Sequence, residues 1–198
     1  MSLTIDGLKR LLTAQQINFT AHPERPALIA DFTGENGRYE VLFDIELDGA
    51  FLQLRTVNWL HCPVEHASLP AVLRVLGEVN YERRFVKLGW DPSDGELVAF
   101  GDVWIEDGTL TAAQFSRLLS IYLLVVDSAY GRLHTTFETG KDPGDTPLKD
   151  TFGGERTGPE AHPSGGDVGD KVRKLLEQLR GAAPSGSKPG EAPEDEYV

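Results

Sequence analysis

The chain has 198 residues, 31 acidic against 19 basic side chains, a net charge of −12 and one cysteine. That balance argues against a nucleic-acid binder, which needs a basic footprint to displace counterions from phosphate, and a lone cysteine excludes an intrachain disulfide. The longest apolar run, Ile121 to Val126 with its amphipathic Tyr122, is far short of the ~20 residues that span a bilayer.

Composition shifts near Glu138. Residues 138–198 hold 11 Gly and 7 Pro in 61 positions, with little apolar surface to offset the entropy of ordering them. They carry 13 acids against 8 bases, and residues 1–137 carry 18 against 11, so both parts are acidic. The expectation is one domain over 1–137, long enough to bury a core, and a flexible C-terminal extension over 138–198. The start, Met1 to Arg10, lacks the cationic lead and apolar core of a secretory signal. A cytoplasmic protein with no membrane association is expected.

In chain order, Ile5, Leu8, Leu11 and Leu12 form a helical stripe, with Ser2 or Thr4 as cap. Ala27–Thr33 reads as a strand, and Asn36-Gly37 as a turn that tolerates positive φ. From Tyr39 to Leu47 apolar and polar residues alternate, broken only by Leu42, which predicts a strand with one wet face. Asp48-Gly49 leads into a strand over Ala50–Leu60. A helix follows from about Ser68, a candidate cap, and carries Leu69, Val72, Leu73, Leu76 and Val79. Arg84–Trp90 and Glu96–Glu106 form a hairpin around Asp91-Pro92-Ser93-Asp94-Gly95. Thr109 or Thr111 opens the last helix, whose stripe comprises Phe115, Leu118, Leu119, Tyr122, Val126, Tyr130, Leu133 and Phe137. Ile121, Leu124 and Val125 widen that stripe beyond a normal surface helix, while Arg117, Asp127, Ser128 and Arg132 keep part of the circumference polar. Either other elements of the chain or a second subunit covers the excess. In the tail, Val168, Val172, Leu175, Leu176 and Leu179 make a short stripe that predicts a helix over 167–180, marginal by itself in water.

Chemistry-bearing patterns are sparse. His61-Cys62-Pro63-Val64-Glu65-His66 offers imidazoles and a thiol, but no second cluster completes a tetrahedral metal set. Asp91, Asp94 and Glu96 miss the ligand spacing of a calcium loop. No nucleophile elbow, phosphate loop, dinucleotide fingerprint or zinc-protease motif occurs. Neither metal nor cofactor is expected. Apolar surface remains: Val98, Phe100 and Trp104 alternate with an equally apolar opposite set, and Phe51, Trp59 and Trp90 add to it. Either helices cover both sides of the sheet, or one side is partly open and takes up a peptide or an amphipathic segment of another protein.

The order helix, three strands, helix, two strands, helix over residues 3–137 resembles the YbjN family of small bacterial proteins described as sensory-transduction regulators. The resemblance rests on the Tyr39–Leu47 strand followed by Ala50–Leu60, the helix around Leu69–Val79 and the Phe115–Phe137 helix. It is similar in architecture to class I type III secretion chaperones. The resemblance implies an α+β sandwich in αβββαββα order, an antiparallel sheet packed by helices, frequent dimerisation, and protein binding without ATP or metal. It brings no catalytic residues, and the Gly/Pro-rich tail is an addition to its pattern.

The resulting expectation is a non-enzymatic, chaperone-like adaptor or regulator, a homodimer that binds another protein. Trp59, Trp90, Phe100 and Trp104 are the expected partner contacts, and Ile121, Leu124 and Val125 the expected dimer contacts. The alternatives are a nucleic-acid-associated stress regulator acting through a DNA-binding partner and a small enzyme centred on Cys62, His61 and His66.

Overall fold

Thr4 opens the first helix, its hydroxyl oxygen accepting the Gly7 N–H at 3.1 Å, with Asp6 in the favourable first turn. In this computed structural model, which describes residues 2–106 and 108–144, that helix is α1, Ile5–Ala14. The strands are β1 (Thr20–Ala21), β2 (Ala27–Thr33), β3 (Arg38–Glu46), β4 (Phe51–Val57) and β5 (Leu60–His61). After α2 (Leu69–Glu82) come β6 (Val86–Trp90), β7 (Glu96–Trp104) and α3 (Ala112–Thr139). The expected α+β order is present, with two short strands, β1 and β5, added to it. Most of the tail, including the helix expected at 167–180, lies outside the described residues.

All strand pairings are antiparallel, in the order β1-β2-β3-β4-β7-β5, with β6 on the other side of β7. Ala50–Leu60 is therefore not one continuous strand. Arg55 faces Phe100 and Leu60 faces Leu97, so five residues advance on one side against three on the other. The surplus is absorbed at Asn58, whose φ of 48° places it in the left-handed region. The interruption leaves Ala99 without a backbone partner on that side, and buried peptide groups need one. Side chains supply it: Thr56 Oγ1 accepts the Ala99 N–H at 2.9 Å, and the Tyr122 hydroxyl donates to the Ala99 carbonyl at 2.9 Å. Thr56 and Tyr122 are both fully buried.

Tyr39, Val41, Phe43, Ile45, Leu52, Leu54, Leu97 and Ala99 share one core with the buried residues of all three helices. On α3 these are Phe115, Leu119, Tyr122, Val126 and Leu133, as the helical stripe predicts. Phe43 meets Phe115 at a centroid distance of 6.1 Å, and Tyr39 meets Tyr130 edge-on at 5.4 Å. Both α1 and α2 pack against α3. Part of the apolar excess on that helix is thus covered within the chain.

Two polar residues that looked like solvent-facing circumference on α3 instead hold it in place. The Asp127 carboxylate accepts the Glu35 N–H (3.2 Å), the Asn36 N–H (2.9 Å), the Asn36 amide and the Tyr39 hydroxyl, pinning the β2–β3 turn. Burial and this bond to Asp127 keep the Tyr39 phenol protonated. Arg132 is 6% exposed, pairs with Glu78, and binds Asp142 through two bonds of 2.6 and 2.8 Å. Its guanidinium holds the Asp142 carboxyl below the usual range. Thr111 and Gln114 form a capping box at the start of α3, and Gly140, at φ 68°, caps its end. By contrast, Ser68 sits at the start of α2 without a side-chain capping bond, and its N–H goes to His66 Nδ1.

The outer side of β6 is not left open. The Asn80 side chain reaches from α2 to accept the Leu88 N–H at 2.7 Å and donate to the Leu88 carbonyl at 2.9 Å. At the far end of the sheet, Leu47, Asp48 and Gly49 all have positive φ. Only glycine fits the third place, where a Cβ would lie 2.2 Å from the Leu3 carbonyl oxygen.

Candidate functional site

The helices bury their apolar residues on one face, and the opposite face carries the alternate residues of the same strands. Register aligns Ile29, Leu42, Arg55 and Phe100 in one row and Glu46, Phe51 and Trp104 in another. Leu42 and Val98 are buried there among their neighbours, outside the main core. Phe100 is half-buried beneath the Arg55 guanidinium, 5.7 Å from its ring centroid, and Arg55 pairs with Glu96 at 3.0 Å. Arg25 pairs with Asp44 at 3.0 Å at one border of this face.

The four expected partner contacts separate. Trp104 is 64% exposed and packs against Phe51 with tilted rings, 4.8 Å between centroids. With Phe100 it belongs to the outer face. Trp59 does not: at 6% exposure it lies against Tyr130, 6.3 Å between centroids, because the chain turns at Asn58. Its indole N–H is buried without a hydrogen-bond partner among the described residues. Trp90 is half-buried against the core and donates its indole N–H to the Cys62 carbonyl at 2.9 Å. Trp59 is thus closed off from the surface, whereas Trp90 remains partly accessible. Of the expected dimer contacts, Ile121 and Leu124 are half-buried, whereas Val125, 5% exposed, is in the core.

Beside Trp104 lies a groove of about 300 Å³ between the end of β7 and the first turns of α3. Val103, Trp104, Ile105, Leu110 and Leu118 give it apolar walls, and Arg117 and Gln114 stand on the helix side. Helical spacing places Ile121 and Leu124 beyond Arg117 on the same side of α3. The left-handed turn adds Leu47, 61% exposed, next to Glu46 in the row of Phe51 and Trp104. Sequence pattern identified Trp104, but it placed Leu118 in the core stripe of α3 and Leu47 on the apolar side of its strand, and it gave Leu110 no role.

The Cys62 region is arranged for docking a hairpin tip. Cys62 donates its N–H to the Gly95 carbonyl at 2.8 Å, and His61 Nε2 lies 2.6 Å from the Asp94 carbonyl oxygen. His66 accepts the Ser68 N–H through Nδ1 and stacks on Phe137 at 4.1 Å. The Cys62 thiol is fully buried, and burial pushes its pKa up, away from the thiolate a nucleophile needs. Asp91 and Asp94 accept the N–H groups of Ser93 and Glu96, so their carboxylates shape the tip. Among the described residues, no group of three His, Cys, Asp or Glu side chains is placed to hold a metal ion. No helix among them is long and apolar enough to cross a membrane.

A solved structure titled "Crystal structure of YbjN, a putative transcription regulator from E. coli" has a similar fold. It shows a TM-score of 0.51 and 15% identity over 66% of this chain and 91% of that one. Comparison with curated proteins returns no match. The YbjN family pattern, described as "Putative bacterial sensory transduction regulator", matches residues 4–135, more than half of the chain and nearly all of the described domain. The chain belongs to the YbjN family.

Proposed function

We propose that this protein is a non-enzymatic, chaperone-like adaptor or regulator that captures another protein through the groove beside Trp104 and works as a homodimer. The observation that carries the reading is Trp104 itself: a large aromatic, 64% exposed, at the mouth of an apolar groove on an acidic protein. Exposed apolar surface around a groove suits an apolar peptide segment or amphipathic helix. The family's description as a regulator fits such a role. An enzyme centred on Cys62 is less well supported, since that thiol is buried and both neighbouring imidazoles are engaged in local contacts. The partner's docking side is expected to be apolar with basic flanks. Any action on nucleic acid would run through a DNA-binding partner, given the net charge of −12.

Self-association is assigned to the strip containing Ile121 and Leu124. Leu124→Asp is expected to halve the molar mass seen by light scattering while leaving the far-UV spectrum unchanged. An unchanged mass in the folded variant removes that assignment. For the groove, Trp104→Ala is expected to weaken partner capture about 30-fold, the scale of a central aromatic contact. Equal capture by the two proteins would sink the groove as the binding site.

A further inference from the structure

We infer that the groove beside Trp104 has an internal occupant, residues 167–180 of the same chain, which compete with the external partner. This rests on the groove reading above and adds its regulation. The apolar positions of that segment, Val168, Val172, Leu175, Leu176 and Leu179, recur at helical spacing. An isolated helix of that length is marginal in water, so an apolar groove is a place where it gains structure and burial together.

Charge complements shape. The segment concentrates Lys171, Arg173, Lys174 and Arg180 in an otherwise acidic tail. Near the groove stand Asp102 and Glu106, exposed on either side of Trp104, and Glu46 lies in its row across the sheet. Arg117 on the helix wall is a counterpart for Glu177. Opposite charges at the rim orient a docking segment even where each pair adds little affinity.

The connection has the right reach. The last described residues run beside Arg132, because Asp142 is bound to it. At ~1.5 Å per residue, Arg132 lies roughly 21 Å along α3 from Leu118 in the groove wall. Residues 145–166, with five Gly and three Pro in 22 positions, connect the two, and a coil of that length would have a root-mean-square span of about 23–28 Å. A linker whose span matches the distance gives an effective concentration on the order of millimolar. A weak segment can then hold the groove, and a tighter external partner can displace it.

Acrylamide quenching of tryptophan emission tests this in the full chain. Trp59 is buried and Trp90 half-buried, and the signal lost in Trp104→Phe defines the Trp104 contribution. Leu175→Asp/Leu176→Asp is expected to raise the Trp104 quenching constant about threefold, because a millimolar effective concentration is removed. Lys171→Glu/Lys174→Glu should raise it by less. A synthetic peptide of residues 165–182 should restore protection to the aspartate variant. Protection independent of protein concentration supports the intrachain contact. Equal quenching in the parent and aspartate proteins overturns it, as does protection that appears only on concentrating the protein. These outcomes are separate from partner capture: equal quenching with capture still lost in Trp104→Ala removes the internal occupant alone, whereas unchanged capture removes the groove itself.

Discussion

The two faces of the sheet are built from the same strands and have opposite fates. On β7, Leu97 and Ala99 turn toward the core, while Phe100 and Trp104 turn away from it. The inner set is closed by three helices. The outer set is partly shielded by its own neighbours and by long charged side chains such as Arg55. Apolar content therefore does not distinguish the faces. What distinguishes them is whether a helix has its apolar stripe available to cover the strands, and all three helices are committed to one side. The adaptor role proposed above would draw on this asymmetry, since one face supplies stability and the other can vary its contacts without unfolding the domain.

Substitutions on the two sides sharpen that contrast. Phe43→Ala empties a fully buried site under Phe115 and should lower unfolding free energy by about 3–5 kcal/mol in denaturant titration. Asp127→Ala should lower it by about 2–3 kcal/mol, because it strands the Tyr39 hydroxyl and two turn N–H groups at once. Tyr122→Phe removes the hydroxyl that donates to the Ala99 carbonyl and bonds the Thr56 backbone, and about 1–2 kcal/mol is expected. Trp104→Ala, on the outer side, should stay within about 0.5 kcal/mol of the parent, in contrast to its expected effect on partner capture. A Trp104→Ala loss as large as that of Phe43→Ala would break the comparison by making the outer face part of the stabilising core.

Much of the fold was legible because its signals are local. The alternation from Tyr39 to Ile45 marks β3 and its core face, although Leu42 and Asp44 on the other face are buried as well and Leu47 is exposed. Thr111, one of two candidate caps, opens α3. The site was legible only in part. Trp59 and Trp104 look alike in sequence, yet the bulge at Asn58 puts one against Tyr130 and leaves the other in solvent. Nothing adjacent to Asn58 announces a positive φ, because asparagine is also common in ordinary turns. Asp127 and Arg132 were misread for a different reason. Apart from Asp142, their partners, Glu35, Asn36, Tyr39 and Glu78, are more than fifty residues away, and an acidic or basic residue on a helix reads as solvated until its neighbours are known.

The side-chain amide of Asn80 on Leu88 has a consequence for how the protein behaves when crowded. An uncovered strand edge is a template onto which another chain can be laid, and repeated templating produces fibres. Here α2 supplies a one-residue imitation of a neighbouring strand and occupies the groups that would start such growth. On that side the sheet has a built-in terminator, and the domain can display apolar surface elsewhere without offering its backbone as a seed for polymerisation.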